Sequence, residues 1–194
     1  IEVLRTCTAD LGARGEELGL IGPLELPRLW TRHILNSALL APLVRTGARV
    51  ADIGTGGGMP GLVLGIIRPD AQFLLIEPME RRCAWLNEQI DRLELSNVEV
   101  RRGRAEEFHG AFTVDQITAR AVTALRKLIP LTAPLLHDGG EMLFLKGAAV
   151  ENEIAAAEKV MRKYRLTDIA VEELGSGQLA ETTRVFRARL GTHG

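Results

Sequence analysis

Aromatic side chains are scarce in this sequence, at 4%. That is too few for a surface that holds nucleic acid mainly by stacking bases. Lysine is rare too, with four residues against twenty arginines. Arginine suits bidentate contacts to phosphate and carboxylate, although a genomic bias in composition gives the same imbalance. The formal net charge is -1, so the chain has no overall basic footprint and any contact with nucleic acid must come from a local patch. Two cysteines, Cys7 and Cys83, lie too far apart for metal or disulfide spacing. Cys83 falls on the apolar stripe of a predicted helix and reads as a buried free thiol. The histidines show no metal-like spacing. No apolar run approaches membrane-spanning length, and no signal-peptide pattern is present, so a soluble protein of the reducing cytoplasm is expected.

What is present is the material of one globular domain: 194 residues, 46% hydrophobic and 25% charged. Residues 49 to 147 alternate strand-like and helix-like stretches. "RVADIG" reads as a buried strand, "PGLVLGII" as a helix with Pro60 in its first turn, and "QFLLIE" as a second apolar strand. "RRCAWLNEQIDRLEL" places Cys83, Leu86, Ile90 and Leu93 on one helical stripe. "VEVRRG", "VDQITAR" and "EMLFLKG" follow as strands, with an apolar helix around residues 123 to 136 closed by "HDGG". This βαβ rhythm predicts a doubly wound, mostly parallel sheet with helices on both faces. Beyond it, "AVENEIAAAEKVMRKY" is an amphipathic helix. "LTDIAVEEL" and "TRVFRARL", separated by the polar linker "GSGQLAET", suit an antiparallel pair at a sheet edge. Residues 1–44, punctuated by Pro23, Pro27 and Pro42, form a helical N-terminal segment ahead of the main domain at 45–194.

The densest signal is "VADIGTGGGMPG", with five glycines in eight positions directly after the first strand. Glycine at that density marks a tight turn or a close backbone approach. Gly56, Gly58 and Gly61 fit G-x-G-x-x-G, and Glu77 closes the next strand, as in a dinucleotide site. Asp52 argues against a pyrophosphate there, because a carboxylate at that strand end repels a doubly anionic group. Beside an ammonium or a sulfonium it is attractive, and S-adenosylmethionine carries both cations and no phosphate. A capping role for Asp52 in the turn remains the structural alternative.

Taken together, Arg32-His33 with "LNS", the "GTGGGMPG" loop, "GRAEE", "ARA" and "LKG" resemble the bacterial 16S ribosomal RNA guanine-N7 methyltransferase family, RsmG (GidB), from about residue 20 to residue 190. The resemblance implies a class I S-adenosylmethionine-dependent methyltransferase fold, Rossmann-like, with seven strands. It implies a cofactor site of Asp52, Gly54, Thr55, Gly56, Gly58 and Met59, with Glu77 on the ribose, Ala105 and Glu106 at the adenine, and Arg120. Arg120 and Lys146 would act at the target guanine by position and charge. Arg32, His33, Arg104, Lys146 and Arg184 would meet the RNA. The implied partner is 16S ribosomal RNA in the small subunit or its assembly intermediate, bound by a monomer.

The chemistry of N7 agrees with the residues present. Its lone pair is exposed in the major groove and needs no deprotonation, so no general base is required. Catalysis then comes from in-line positioning and electrostatics. Amino-group methylation would call for an Asp/Asn-Pro-Pro-Tyr-like turn where this chain has "TARAVTA", and cytosine C5 methylation for a cysteine nucleophile there. Alternatives stay open: a structural ion pair at Arg120, a solvated strand end at Lys146, a surface histidine at 33. A methyltransferase for another base or a small molecule, a nucleotide-dependent oxidoreductase, and a non-catalytic RNA-binding module are the other functional readings.

Overall fold

Short apolar strands set the frame. The computed structural model describes residues 2–177 and 182–192. In it β1 (Arg49–Ile53), β2 (Gln72–Glu77), β3 (Val98–Arg102), β4 (Val114–Arg120) and β5 (Leu136–Lys146) run parallel. β6 (Leu166–Leu174) and β7 (Thr183–Leu190) complete one seven-stranded sheet as an antiparallel edge, in the order β3-β2-β1-β4-β5-β7-β6. The middle of the expected linker, 178–181, lies outside the described residues.

Because side chains alternate along a strand, each strand feeds two cores. Val50, Phe73, Leu75, Leu143 and Val185 face one way, where they pack with α1 (Glu2–Arg14), α2 (Leu35–Ala38), α3 (Gly61–Ile67) and α4 (Glu80–Arg92). Ala51, Leu74, Ile76, Met142, Phe144 and Phe186 face the other way, under α5 (Leu125–Thr132) and α6 (Val150–Lys163). The order of strand addition reverses at β1, with β2 and β3 laid on one side of it and β4 and β5 on the other. In open α/β sheets, the crevice outside the carboxyl ends at such a switch is where ligands bind. Among the described residues, no helix is long and apolar enough to cross a membrane.

Two local expectations change. "HDGG" does not close the helix but lies within β5. Leu136 pairs with Val114, and the register then shifts so that Gln116 meets Glu141, which leaves the intervening residues as an irregular insert with Gly139 at φ 75. The preceding helix stops at Thr132 and tightens into a 3-10 turn over Ala133–Leu135 that contains Pro134, which has no N–H to extend an α-helix. Likewise α3 begins at Gly61, with Pro60 capping it from outside rather than sitting in its first turn.

The N-terminal segment shares a core with the sheet: Cys7, Leu11, Ile21, Leu29 and Ile34 belong to the cluster that contains Val50 and Leu75. A polar clasp adds direction to that apolar contact. Asp10 on α1 accepts hydrogen bonds from the Trp85 indole and the Gln89 amide of α4, each at 2.8 Å. Arg14 and Arg92 stand 3.4 and 3.3 Å away. A second polar cluster braces the amino-terminal edge of the sheet, where Gln116 donates to Glu141 at 2.8 Å and Arg187 does so at 2.6 Å.

Asp10→Ala leaves the indole and amide donors without an acceptor in a half-buried seam. Urea unfolding of this variant is expected to show a loss on the order of 2–3 kcal/mol. An unchanged midpoint would show that the clasp contributes nothing to stability.

Candidate functional site

The glycine loop is held from beneath by Asp52. This carboxylate is 0% exposed. Its Oδ2 accepts from the Gly61 amide at 2.9 Å and its Oδ1 from the Thr118 hydroxyl at 2.8 Å. Asp52 was expected from sequence to meet a cation directly. The structure turns it inward instead, because the first amide of α3 offers a donor with no partner within its own helix. Gly61 has to be glycine for this approach: a Cβ would lie 2.4 Å from Leu75 and 2.7 Å from the Asp52 oxygen. Gly58, at φ 86, takes a backbone conformation that L side chains rarely adopt.

Above this anchor the loop is tied to β2. Gly54 and Thr55 donate to the Ile76 carbonyl at 2.9 and 3.2 Å. Glu77, 2% exposed, accepts from the Gly56 amide through Oε2 and from the Met79 amide through Oε1, both at 3.0 Å. A carboxylate has about four acceptor positions, so half of its capacity stays open. Arg82 stands 3.9 Å from Glu77 and donates to the Gly19 carbonyl at 2.9 Å, which lays the N-terminal segment over the loop. Beyond β3, the Gly103 amide donates to the Glu77 carbonyl at 3.1 Å. A 3-10 turn over Ala105–Phe108 then places buried Ala105 and exposed Glu106 at the same edge.

On the other side of the switch lies a cavity of about 690 Å³ whose lining includes Arg32, His33, Asn36, Arg120, Val122 and Lys146. Arg120 donates to His33 Nδ1 at 2.8 Å and approaches the Met59 sulfur at 3.8 Å. Arginine only donates, so His33 Nδ1 presents a lone pair and Nε2 carries the proton given to Glu25 at 2.7 Å. Burial, with the charge of Arg120 adding to it, pushes the His33 pKa down against the pull of Glu25. The His33 hydrogen bond holds the Glu25 carboxyl below its ordinary range. Lys146 is not a solvated strand end: its ammonium reaches the Thr123 carbonyl and the Glu153 carboxylate, each at 2.8 Å.

The expected RNA-facing residues therefore divide. Arg32, His33 and Lys146 share the cavity, whereas Arg104 and Arg184 do not line it. Arg104 caps the turn after β3, and Arg184 donates to the Ala148 carbonyl at 3.0 Å. Arg101 and Arg102 face Glu99 and Glu80 at 2.7 and 3.3 Å. Glu25, Asn36 and Glu153 are cavity residues that the sequence did not single out. Asn36 stood inside the quoted "LNS", but nothing in that motif told which way its amide turns.

The family model for rRNA small subunit methyltransferase G matches residues 2–181. The chain belongs to this family. Among curated family members, one from Clavibacter michiganensis is 63% identical over 98% of this chain and 90% of its own length. One from Leifsonia xyli is 58% identical over 97% and 90%. Both carry the name ribosomal RNA small subunit methyltransferase G. Among solved structures, a SAM-dependent O-methyltransferase from Thermotoga maritima superposes with a TM-score of 0.66 at 17% identity, over 82% of this chain and 66% of that one. That likeness establishes the class I methyltransferase fold for this family member.

Burial raises the Asp52 pKa from 3.8 to about 6, against hydrogen bonds that favour the ionised form. The folded state thus holds that proton more tightly than the unfolded chain. The stability contribution of Asp52 is complete below about pH 4 and is lost as pH rises through 6. In Asp52→Asn the amide oxygen can accept from Gly61 while the amide nitrogen donates to Thr118. Urea unfolding at pH 4 and pH 7.5 is expected to show the variant gaining on the wild type by about 2–3 kcal/mol across that interval. A constant difference at both pH values would refute the raised pKa.

Proposed function

We propose that the protein transfers a methyl group from S-adenosylmethionine to N7 of a guanine in 16S ribosomal RNA of the small subunit. The observation that carries this reading is the family match, read with the crevice and cavity on the two sides of the β1–β4 switch.

The residues fit the cofactor. Glu77 keeps open acceptor positions for ribose hydroxyls after anchoring Gly56 and Met79. At Gly54 a side chain would press on Val122 at 3.0 Å, so the bare backbone there keeps the boundary between crevice and cavity open. Thr55 and Gly58 complete the loop, Ala105 and Glu106 stand at the adenine end, and Met59 with Arg120 forms the wall shared with the cavity. S-adenosylmethionine bound there supplies a methyl group on a cationic sulfur.

The chain's own work is positioning and electrostatics. Asp52 makes no contact with the crevice surface, yet its charge just beneath the loop favours a cation and opposes a pyrophosphate in a medium of low dielectric. The cavity wall fixes the target base, and His33 fixes the plane of Arg120 by accepting one of its N–H groups. N7 attacks with a lone pair that carries no proton, so no side chain has to remove one. The methyl donor, held by the glycine loop and Glu77, would supply an electrophilic methyl group to that lone pair. The residues of the cavity wall would meet the positive charge that the purine gains.

The cytoplasm, where the small subunit is assembled, is the proposed place of action, and buried free Cys7 and Cys83 agree with a reducing compartment. A monomer is the proposed state.

Small subunits from cells lacking the gene, incubated with labelled S-adenosylmethionine, are expected to accept label at guanine N7. Glu77→Ala is expected to weaken methyl-donor binding by about tenfold or more in calorimetry, as for a lost charged hydrogen-bond acceptor. Label on another base, or tight NADH binding with none of the methyl donor, would overturn the reading.

A further inference from the structure

The cavity wall contains a buried polar atom that the fold leaves without a partner. The Asn36 side-chain oxygen on α2 is buried and has no hydrogen-bond partner among the described residues. Three charged residues of the same wall are engaged: Glu25 with His33, Arg120 with His33, and Lys146 with Glu153 and Thr123. A buried acceptor without a donor costs about 1–3 kcal/mol, and such a group on a cavity lining points to a ligand that brings the donor.

The ligand chemistry follows from the sign. A phosphate, or an edge of a base that only accepts, brings no donor for that oxygen. Guanine carries two adjacent donors on its Watson–Crick edge, N1–H and the 2-amino group, on the side of the ring away from N7. Adenine presents an acceptor at N1 and has no 2-amino group. A purine that turns N7 toward the crevice has this edge free for the cavity wall.

Resting on the proposed guanine N7 reaction, we propose that Asn36 is the residue that selects guanine, its side-chain oxygen accepting from N1–H and the 2-amino group of the target base. The same contact favours the reaction. Methylation at N7 makes the purine cationic and sharpens both donors, so the hydrogen bonds strengthen between ground state and transition state. Asn36 therefore contributes to kcat as well as KM.

Replacing the target guanine by inosine in the RNA removes the 2-amino group and keeps N7. Wild-type enzyme is expected to prefer guanine over inosine by about tenfold in kcat/KM, the range of one lost hydrogen bond to a buried acceptor. Asn36→Leu removes the acceptor and keeps the branched shape of the side chain. It is expected to lose about tenfold on guanine, part of it in kcat, and to treat guanine and inosine alike. Asn36→Asp keeps an acceptor and is expected to keep the preference. Thermal unfolding and methyl-donor affinity, measured on each variant, separate this effect from misfolding. Asn36→Leu retaining the full guanine preference overturns the assignment. So does coupling of Asn36 to a 2′-deoxy substitution at the target, which would place the contact on the ribose. Absence of methyl transfer to guanine RNA by the wild type would instead defeat the underlying reading, and this inference with it.

Discussion

The site depends on one buried carboxylate. Asp52 takes the first amide of α3 and the hydroxyl of Thr118 on the neighbouring strand, so one side chain joins the end of β1 to the start of a helix and to β4. That junction decides where the glycine loop stands. It works only because Gly61 lets the helix start come within hydrogen-bond distance of the strand. The cost is a charge in an apolar setting, visible as the raised pKa. The return is a loop whose backbone is fixed before any ligand arrives, which is the form in which positioning helps a reaction that needs no acid or base.

The two edges of the sheet divide labour. At the amino-terminal edge, the Gln116–Glu141–Arg187 cluster has its acceptors met from several strands and serves as a brace. At the carboxyl edge, polar groups are arranged so that some capacity remains: two acceptor positions on Glu77 and the oxygen of Asn36. Satisfied polar networks rigidify, and unsatisfied ones wait for a partner. The contrast between the edges agrees with the proposed site at the carboxyl edge.

Much of this was legible in the sequence. Strands buried on both faces announce themselves as apolar runs, and "RVADIG", "QFLLIE" and "EMLFLKG" were such runs. Positive-φ turns need glycine, so the loop after β1 was legible too. Side-chain direction was not. Asp52 at a strand end can face a ligand or its own helix, and the choice rests on an amide nine residues away. The pairing of His33 with Arg120 spans 87 residues and leaves no local pattern. "HDGG" looked like a helix stop because glycines end helices as well as kink strands. Only the register between β4 and β5 decides between these.

Asp10 finds its partners 75 and 79 residues downstream, on α4. α1 therefore emerges before its partners and cannot be seated until β1, α3, β2 and α4 have followed. Through that interval Cys7 and Leu11 stay without the core they later share, and contacts of such separation form late. The segment that follows α1, around Gly19, is also the one laid over the glycine loop. The N-terminal segment is thus made before the surfaces it packs on, and the cleft gains its cover only once α4 has emerged.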